Sequence, residues 1–392
     1  MATTVRTTTL AVFVRHAGDT TWTQHAGAYA ATCSFGFDQR TAEAEVHLTV
    51  AAGAPTVTYW DEIRVDMGCT PGHGVATRFE GYLVPLDSGM YPLSGVLHCR
   101  GKLYKAAWWR ETTVNGKDMS AGGVGRADEL QVIDVLVRCG VPYTAANIGG
   151  TGKALGSVIT VGGGDPLTPG PFTWGQGESG LAYIERLDEA SVPDSAAGRY
   201  RTFESLAGDV YRIPLSTTPT ATPDFTFTEG VDVLEAAIVR DPDGAGNRVT
   251  VLGAPLNIST APGIINAMTF TASTPTAPYL PPGLPTEADG HAYVATSFTS
   301  PMLEKSNTSG GPNVLSCEAV ATFLLGEANC VLDTLTFSTP RDDLLGPGQT
   351  IHLDSPRLGI TDPAQHYWLQ RLEITYDERG QFTQRLTCIR KS

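Results

Sequence analysis

The stretch GGTGKALG, residues 149 to 156, is the nearest approach in this sequence to a phosphate-gripping loop. Such a loop needs glycines that let backbone N–H groups cradle phosphate oxygens, a lysine for the outer phosphates, and a Ser or Thr hydroxyl on magnesium. Asn147 stands where GxxxxGK requires its first glycine and Ala154 where the hydroxyl belongs, so the segment reads as a surface loop. Cys69 with His73, and the adjacent His98 and Cys99, are residue types that ligate zinc. Neighbours on a strand point to opposite faces, so His98 and Cys99 are not expected to share an ion, and core cysteines with surface histidines are the expectation. The acidic doublets Asp61-Glu62 and Asp188-Glu189 would serve glycoside hydrolysis only if two carboxyls converged across a cleft. Trp108-Trp109 has the rings of a sugar platform, and equally of core or interface anchors. There is no GxSxG and no HExxH. No residue is assigned a catalytic, cofactor-binding or metal-binding role, no cofactor is expected, and the protein is read as no enzyme.

Composition narrows the classes further. The chain has 392 residues, 27 Lys and Arg against 41 Asp and Glu, and a net charge of -14. A protein that grips nucleic acid must replace phosphate counterions with cations, and this surface is set to repel DNA. Cys33, Cys69, Cys99, Cys139, Cys317, Cys330 and Cys388 are scattered, odd in number and never spaced as CxxC, which fits reduced apolar residues in a cytoplasm better than a disulfide framework. The N-terminus MATTVRTTTLAVFVRH lacks the order of a signal peptide, and no apolar run reaches membrane-spanning length.

Side chains of these types must be positioned by strands. Gly 43, Pro 26 and a charged fraction of 17% point to a turn-rich, β-dominated chain with a minor α+β part. Six strand-like runs fill residues 7 to about 105: TTLAVFVRH, AYAATCSFGF, AEAEVHLTVAA, DEIRVDMG, TRFEGYLVPL and SGVLHCRGKL. A Gly-rich stretch at 113 to 126 then leads to ADELQVIDVLVRCGVP, where Leu130, Ile133 and Val137 recur at helical spacing. GLAYIERLDEA predicts a second helix with Leu181, Ile184 and Leu187 in register. Val231 to Val239 fits helix or strand, Asn247 to Val251 reads as a strand, and residues 256 to 312 form an inserted lobe or extended loops rich in Pro, Thr, Ser and Gly. VLSCEAVATFLLGEAN predicts a helix near 314 to 329.

The chain closes on YWLQRLEITYDERGQFTQRLTCIR, a period-two hairpin, and RFEGYLVPLDSGMYPLSGVLHCR repeats its plan. Both end in Leu-x-Cys, and Phe79 to Cys99 spans 20 positions, as does Trp368 to Cys388. DEIRVDM precedes one and GQTIHLD the other, as if one β-module were used twice.

The order of these features resembles the tail hub, or baseplate hub, proteins of tailed bacteriophages, related to late control protein D and the hub part of type VI secretion spikes. Phe79-Glu80-Gly81-Tyr82 with its hairpin ending HCRG carries the resemblance. So do the helix at 127 to 139, DFTFTEGVDVLEAAIVRDPDGAGNRVTVLG, TFSTP leading to LGPGQTIHL, and the closing hairpin. The resemblance implies two tube-type antiparallel β-barrel domains with smaller α/β domains inserted. The first barrel is expected at 1–110 and a second domain at 111–219, with helices near 127–139 and 180–190. The second barrel is expected at 220–257 and 331–392, with a lobe at 258–330. It also implies a homotrimer that adapts a six-fold tail tube to a three-fold tip. Its expected partners are tail tube, distal tail, tape measure and central fibre or spike proteins, with genomic DNA passing through the channel without specific binding. The expected location is the virion tail tip, after assembly in the host bacterial cytoplasm. No neck or β-helical needle follows residue 392, so a spike would be a separate protein. Two rival classes have their own requirements. A tail-associated cell-wall or polysaccharide-degrading enzyme needs convergent carboxylates or zinc ligands, and a carbohydrate-binding adhesin needs an export signal.

Overall fold

In a computed structural model the described residues are 6–49, 56–84, 95–114, 116–119, 126–150, 154–155, 173–191, 200–214, 222–241, 248–256, 266–273, 295–299, 321–322, 324–326 and 332–391. The first part of the chain supplies β1 (Thr7–Arg15), β2 (Thr23–Gln24), β3 (Ala28–Gly36), β4 (Glu43–Leu48), β5 (Glu62–Thr70), β6 (Ala76–Leu83) and β7 (Val96–Gly101). All six runs expected before residue 105 are strands. Their alternation explains why: Ile63, Val65 and Met67 are fully buried while Glu62, Arg64 and Asp66 on the other face are partly exposed.

A middle part follows, with α1 (Tyr104–Trp108), the two-residue strands β8 (Lys117–Asp118) and β9 (Arg126–Ala127), α2 (Asp128–Arg138), β10 (Ala154–Leu155), β11 (Thr173–Trp174), α3 (Gly180–Ala190), and the hairpin β12 (Tyr200–Glu204) with β13 (Val210–Pro214). Ser179 caps α3, its hydroxyl accepting the Ala182 N–H. Tyr183, Ile184 and Leu187 of α3 are fully buried and pack with Trp174, Val132, Val135 and Leu136 in a core of their own. Here the expected stripe on α2 is corrected. Leu130 and Val137 are exposed, and the inward face carries Asp128, Gln131, Val132, Val135 and Leu136. Two polar residues won buried positions because partners wait for them: Gln131 accepts the Tyr183 hydroxyl at 2.7 Å and Asp128 accepts from Arg212 at 2.8 Å.

The last part supplies β14 (Phe225–Thr228), β15 (Glu235–Asp241), β16 (Arg248–Leu256), β17 (Asn266–Ser273), β18 (Ala295–Thr299), β19 (Leu332–Thr339), β20 (Thr350–Asp354), β21 (His366–Tyr376) and β22 (Phe382–Lys391). The ambiguous segment 231–239 contributes to a strand, β15, because β19 offers it a seven-residue antiparallel ladder. Arg248–Leu256, expected with the second barrel, pairs instead with β17 and β18 in a separate three-stranded sheet. Most of the expected helix near 314–329, and most of the rest of the inserted lobe, lies outside the described residues.

β1, β3–β7, β14, β15 and β19–β22, with β2 at one edge, form one 13-stranded sheet. Within it the six strands of the first module run β3-β4-β7-β6-β5-β1, and those of the second run β15-β19-β22-β21-β20-β14. Numbered along the chain within each module, both orders are 2-3-6-5-4-1. The repeat is therefore present in topology, with one difference: β1 pairs β5 antiparallel and β14 pairs β20 parallel. The equal 20-residue spacing is not a residue-by-residue match. Cys99 lies opposite Leu83, whereas Cys388 lies opposite Leu369, and β21 carries a bulge between Leu369 and Arg371. Among the described residues no ladder joins β1 to β3, or β14 to β15, so neither six-strand run is closed on itself by pairing. The apolar faces of both modules share a single core, from Val12 and Phe79 to Leu372 and Cys388.

Candidate assembly interface

The residues with chemical potential are almost all engaged in structure. Cys69 is buried and its N–H bonds to Asp342, while His73 is exposed. His98 and Cys99 face opposite sides, one half-exposed beside Glu45 and the other in the core. Cys33, Cys69, Cys99, Cys139 and Cys388 are buried and free, and burial pushes each thiol up, Cys139 to about 12, which suppresses the reactive thiolate. Cys317 and Cys330 lie outside the described residues. Asp61 accepts from the Thr58 N–H and hydroxyl and meets His16 at 2.9 Å, while Glu62 pairs with Arg15. Asp188 is buried among arginines while Glu189 is only partly buried, so the doublet does not converge on a cleft. Of the Gly-rich segment, Gly149 and Gly150 lie against the β12–β13 hairpin, bonded to Arg212 and Tyr200, and residues 151–153 and 156 lie outside the described residues. Trp109 packs on Trp174 at 4.6 Å and Trp108 stands half-exposed against Trp60. Among the described residues no group of three His, Cys, Asp or Glu is arranged to hold a metal ion.

What the chain does bring together are seams. β21 belongs to both modules: its start, His366 to Trp368, pairs β20, and after the bulge Arg371 to Tyr376 pairs β3 in six antiparallel steps. Gln370, at the changeover, accepts the Phe37 N–H at 3.0 Å. Gly36 is required there, because a Cβ would stand 2.7 Å from the Gln370 carbonyl oxygen and 3.0 Å from the Arg371 Cα. Beside this ladder Phe37 stacks on Trp368 at 5.0 Å and meets Phe203 edge-on at 4.7 Å, joining the two modules and the β12–β13 hairpin in one aromatic contact.

A second fastening is charged. Arg78 on β6 and Asp342, in the segment between β19 and β20, form an ion pair with both side chains fully buried. The other Asp342 oxygen accepts the N–H groups of Cys69 at 2.7 Å and Gly74 at 3.2 Å, and Arg78 also donates to the carbonyls of Met67 and Asp343. Burial lowers the Arg78 pKa and Asp342 pulls it back, so the charge depends on its partner.

The helical part docks on the first module by two more buried acids. Asp188 on α3 accepts from Arg40 at 2.6 Å, Arg212 at 2.9 Å, and the Thr202 N–H at 2.7 Å and hydroxyl at 3.0 Å. Arg212 continues to Asp128 and the Gly149 carbonyl. Burial works against the Arg212 charge, yet Asp188 and Asp128 together hold its pKa above the ordinary value. Glu204, at the end of β12, receives the N–H of Ala42 at 3.0 Å and of Leu103 at 2.7 Å, and no Cβ would fit on Gly101 beside it. Burial pushes the Glu204 carboxyl up to about 8 from 4.5, the amide donors opposing. Between those values the folded chain keeps a proton that the unfolded chain releases. Its contribution to stability is therefore complete below about pH 4.5 and falls by about 1.4 kcal/mol per pH unit until the folded carboxyl ionises. Melting curves between about pH 5 and 8 are expected to show this slope, and Glu204→Gln is expected to flatten it.

No family model and no curated protein matches the sequence. The fold is another matter. The tail protein from Neisseria meningitidis MC58 superposes with a TM-score of 0.58 at 12% identity, over 97% of this chain and 96% of that one. It has a tail-protein fold. The tail protein of prophage MuSo2 from Shewanella oneidensis gives a TM-score of 0.54 at 10% identity, over 97% and 98% of the two chains. These structural neighbours agree with the tail-hub resemblance carried by the hairpins and the 127–139 helix. Within this tail-protein fold the fastening residues are Arg78, Asp342, Arg212 and Glu204, none of which stood out in the sequence. Arg78 and Asp342 are 264 positions apart, and neither lies in a local pattern that marks burial.

Proposed function

We propose that this protein is a structural hub of a phage tail tip, three copies forming a ring below the tail tube. The observation that carries the reading is the use of one strand order twice in one chain, inside a tail-protein fold. Three chains then present six equivalent modules, and a three-fold tip meets a six-fold tube with near-matching symmetry. In this reading residues 1–110 and the pair 220–241 with 332–392 are tube-type barrels, closed by their neighbours in the ring. Residues 111–219 and the lobe between β15 and β19 lie outside as docking sites for distal tail and fibre or spike proteins. The tape measure protein and the tube contact the ring from above. A net charge of -14 keeps passing DNA from adhering to the channel. A structural and non-enzymatic role is supported by the consumption of the buried acids Asp128, Asp188, Glu204 and Asp342 by internal donors.

Electron microscopy of the purified chain, and of particles that carry it, tests this directly. A ring of three copies with six similar lobes is the expected image. A particle with any other copy number at the tube end, or a chain that stays monomeric at assembly concentrations, overturns it.

A further inference from the structure

The doublet Trp108-Trp109 is split by the fold. Trp109 packs inward on Trp174, and Trp108, at the end of α1, is 51% exposed. Trp108 belongs to a row of rings that crosses from α1 to the first module. Tyr104 lies 6.4 Å from Trp108, Trp108 meets Trp60 edge-on at 5.6 Å, and Trp60 lies 6.1 Å from Tyr82, which is buried and anchors the row. Tyr59, beside Trp60, is 44% exposed. Trp60 holds the third place of a turn in which the Asp61 N–H bonds to the Thr58 carbonyl at 3.1 Å, and its φ is 72°. Gly or Asn is favoured there, and a bulky residue on such a backbone is strained. Strain of that kind is kept where the side chain itself is used.

The polar groups around the row are already engaged. Asp61 accepts from Thr58 and faces His16, Lys102 pairs with Glu80 at 2.6 Å, Arg100 pairs with Glu43, and the Lys105 ammonium sits over the Tyr82 ring at 4.3 Å. A sugar needs side chains to take its hydroxyls, whereas proline has no N–H and docks on aromatic faces. The chain itself carries such a ligand. In TPTAPYLPPGLP, residues 274 to 285, Pro275, Pro278 and Pro281 recur at every third position, the period of a polyproline II helix. This segment lies outside the described residues, but the strands that bracket it do not. Ser273 and Ala295 both pair with Arg248, and the next residue, Val249, is buried in the same apolar core as Leu103 and Ala106 at α1. At roughly 3.1 Å per residue Pro281 stands no more than about 25 Å from Ser273. We infer that the row of Tyr104, Trp108 and Trp60 is a binding site for a proline-rich segment, and that its occupant is residues 275–285 of the same chain. The contact fastens the inserted lobe to the seam between the first module and the helical part.

The test uses the full chain. Photolysis of Tyr279→benzoylphenylalanine, with light and heavy isotope copies mixed, is expected to cross-link residue 279 to peptides containing Trp60 or Trp108 of the same copy. Hydroxyl-radical oxidation read by mass spectrometry gives the converse. Pro278→Asp with Pro281→Asp is expected to speed oxidation of Trp60 and Trp108 by at least about threefold, since a tethered ligand at millimolar effective concentration covers its site most of the time. Trp22, held against Arg15 and Arg64, is the control that stays unchanged. Trp108 is half-exposed, so Trp108→Ala is expected to melt like the unmodified protein while the cross-link yield falls by at least about threefold. Cross-links confined to other peptides, or equal oxidation with and without the two prolines, overturn the inference. Cross-links found only between light and heavy copies overturn the assignment to the same chain. Protection of Trp108 by an added N-acetylglucosamine oligomer, with no effect of the proline changes, overturns it in favour of a sugar site.

Discussion

Asp342→Ala is expected to lower the unfolding free energy by about 3–5 kcal/mol, because it leaves the Arg78 guanidinium buried without an acid. The same change strips the acceptor from the N–H of Gly74 and from that of Cys69, a residue buried away from solvent. The comparison that identifies the cause is Arg78→Met. That variant keeps most of the side-chain volume and leaves the Asp342 carboxylate with two backbone donors, so its loss is expected to be smaller. Urea unfolding followed by tryptophan fluorescence gives both values. Equal losses for the two variants would contradict the asymmetry, and a loss below about 1 kcal/mol for Asp342→Ala would mean the pair is wet.

Asp188→Ala is expected to cost a similar amount, about 3–5 kcal/mol, but to act on a different boundary. Among the described residues Asp188 is the one carboxylate that Arg40 of the first module and Arg212 of β13 both reach, so its loss separates two cations from their common partner. The helical part then loosens from the β3–β4 connection. Limited proteolysis is expected to cut within residues 111–219 before it cuts the large sheet, and Asp188→Asn, which keeps an oxygen acceptor, is expected to be milder. Simultaneous loss of both regions in Asp188→Ala would contradict a role confined to docking.

Much of the large sheet was legible because burial on one face writes itself as alternation. Ile63, Val65 and Met67, then Leu372 and Ile374, sit at every second position and all are fully buried. The shared Leu-x-Cys endings of β7 and β22 marked the repeat, since both cysteines occupy inward positions of equivalent strands. The residue register was not legible, because the bulge near Gln370 shifts the partners without changing the apolar pattern. On α2 the apolar stripe pointed the wrong way. Leu130 and Val137 stayed outside because Asp128 and Gln131 had committed partners in Arg212 and Tyr183, and only the folded arrangement brings those together. The seams were illegible for the same reason. Asp342, Asp188 and Glu204 look like ordinary acids in sequence, and what distinguishes them is the set of distant donors that surrounds each one.

The sharing of β21 between two modules also sets a timetable for synthesis. β3 emerges from the ribosome early, and the residues that cover its edge, Arg371 to Tyr376, follow roughly 20–70 s later at about 5–20 residues per second. Throughout that interval the β3 edge that β21 covers in the folded chain is without it, and an unpaired apolar edge is a template for other strands. A polypeptide that stops before residue 366 never hides that edge. A chain truncated there is expected to aggregate through the uncovered β3 edge, which light scattering of the truncated protein would report.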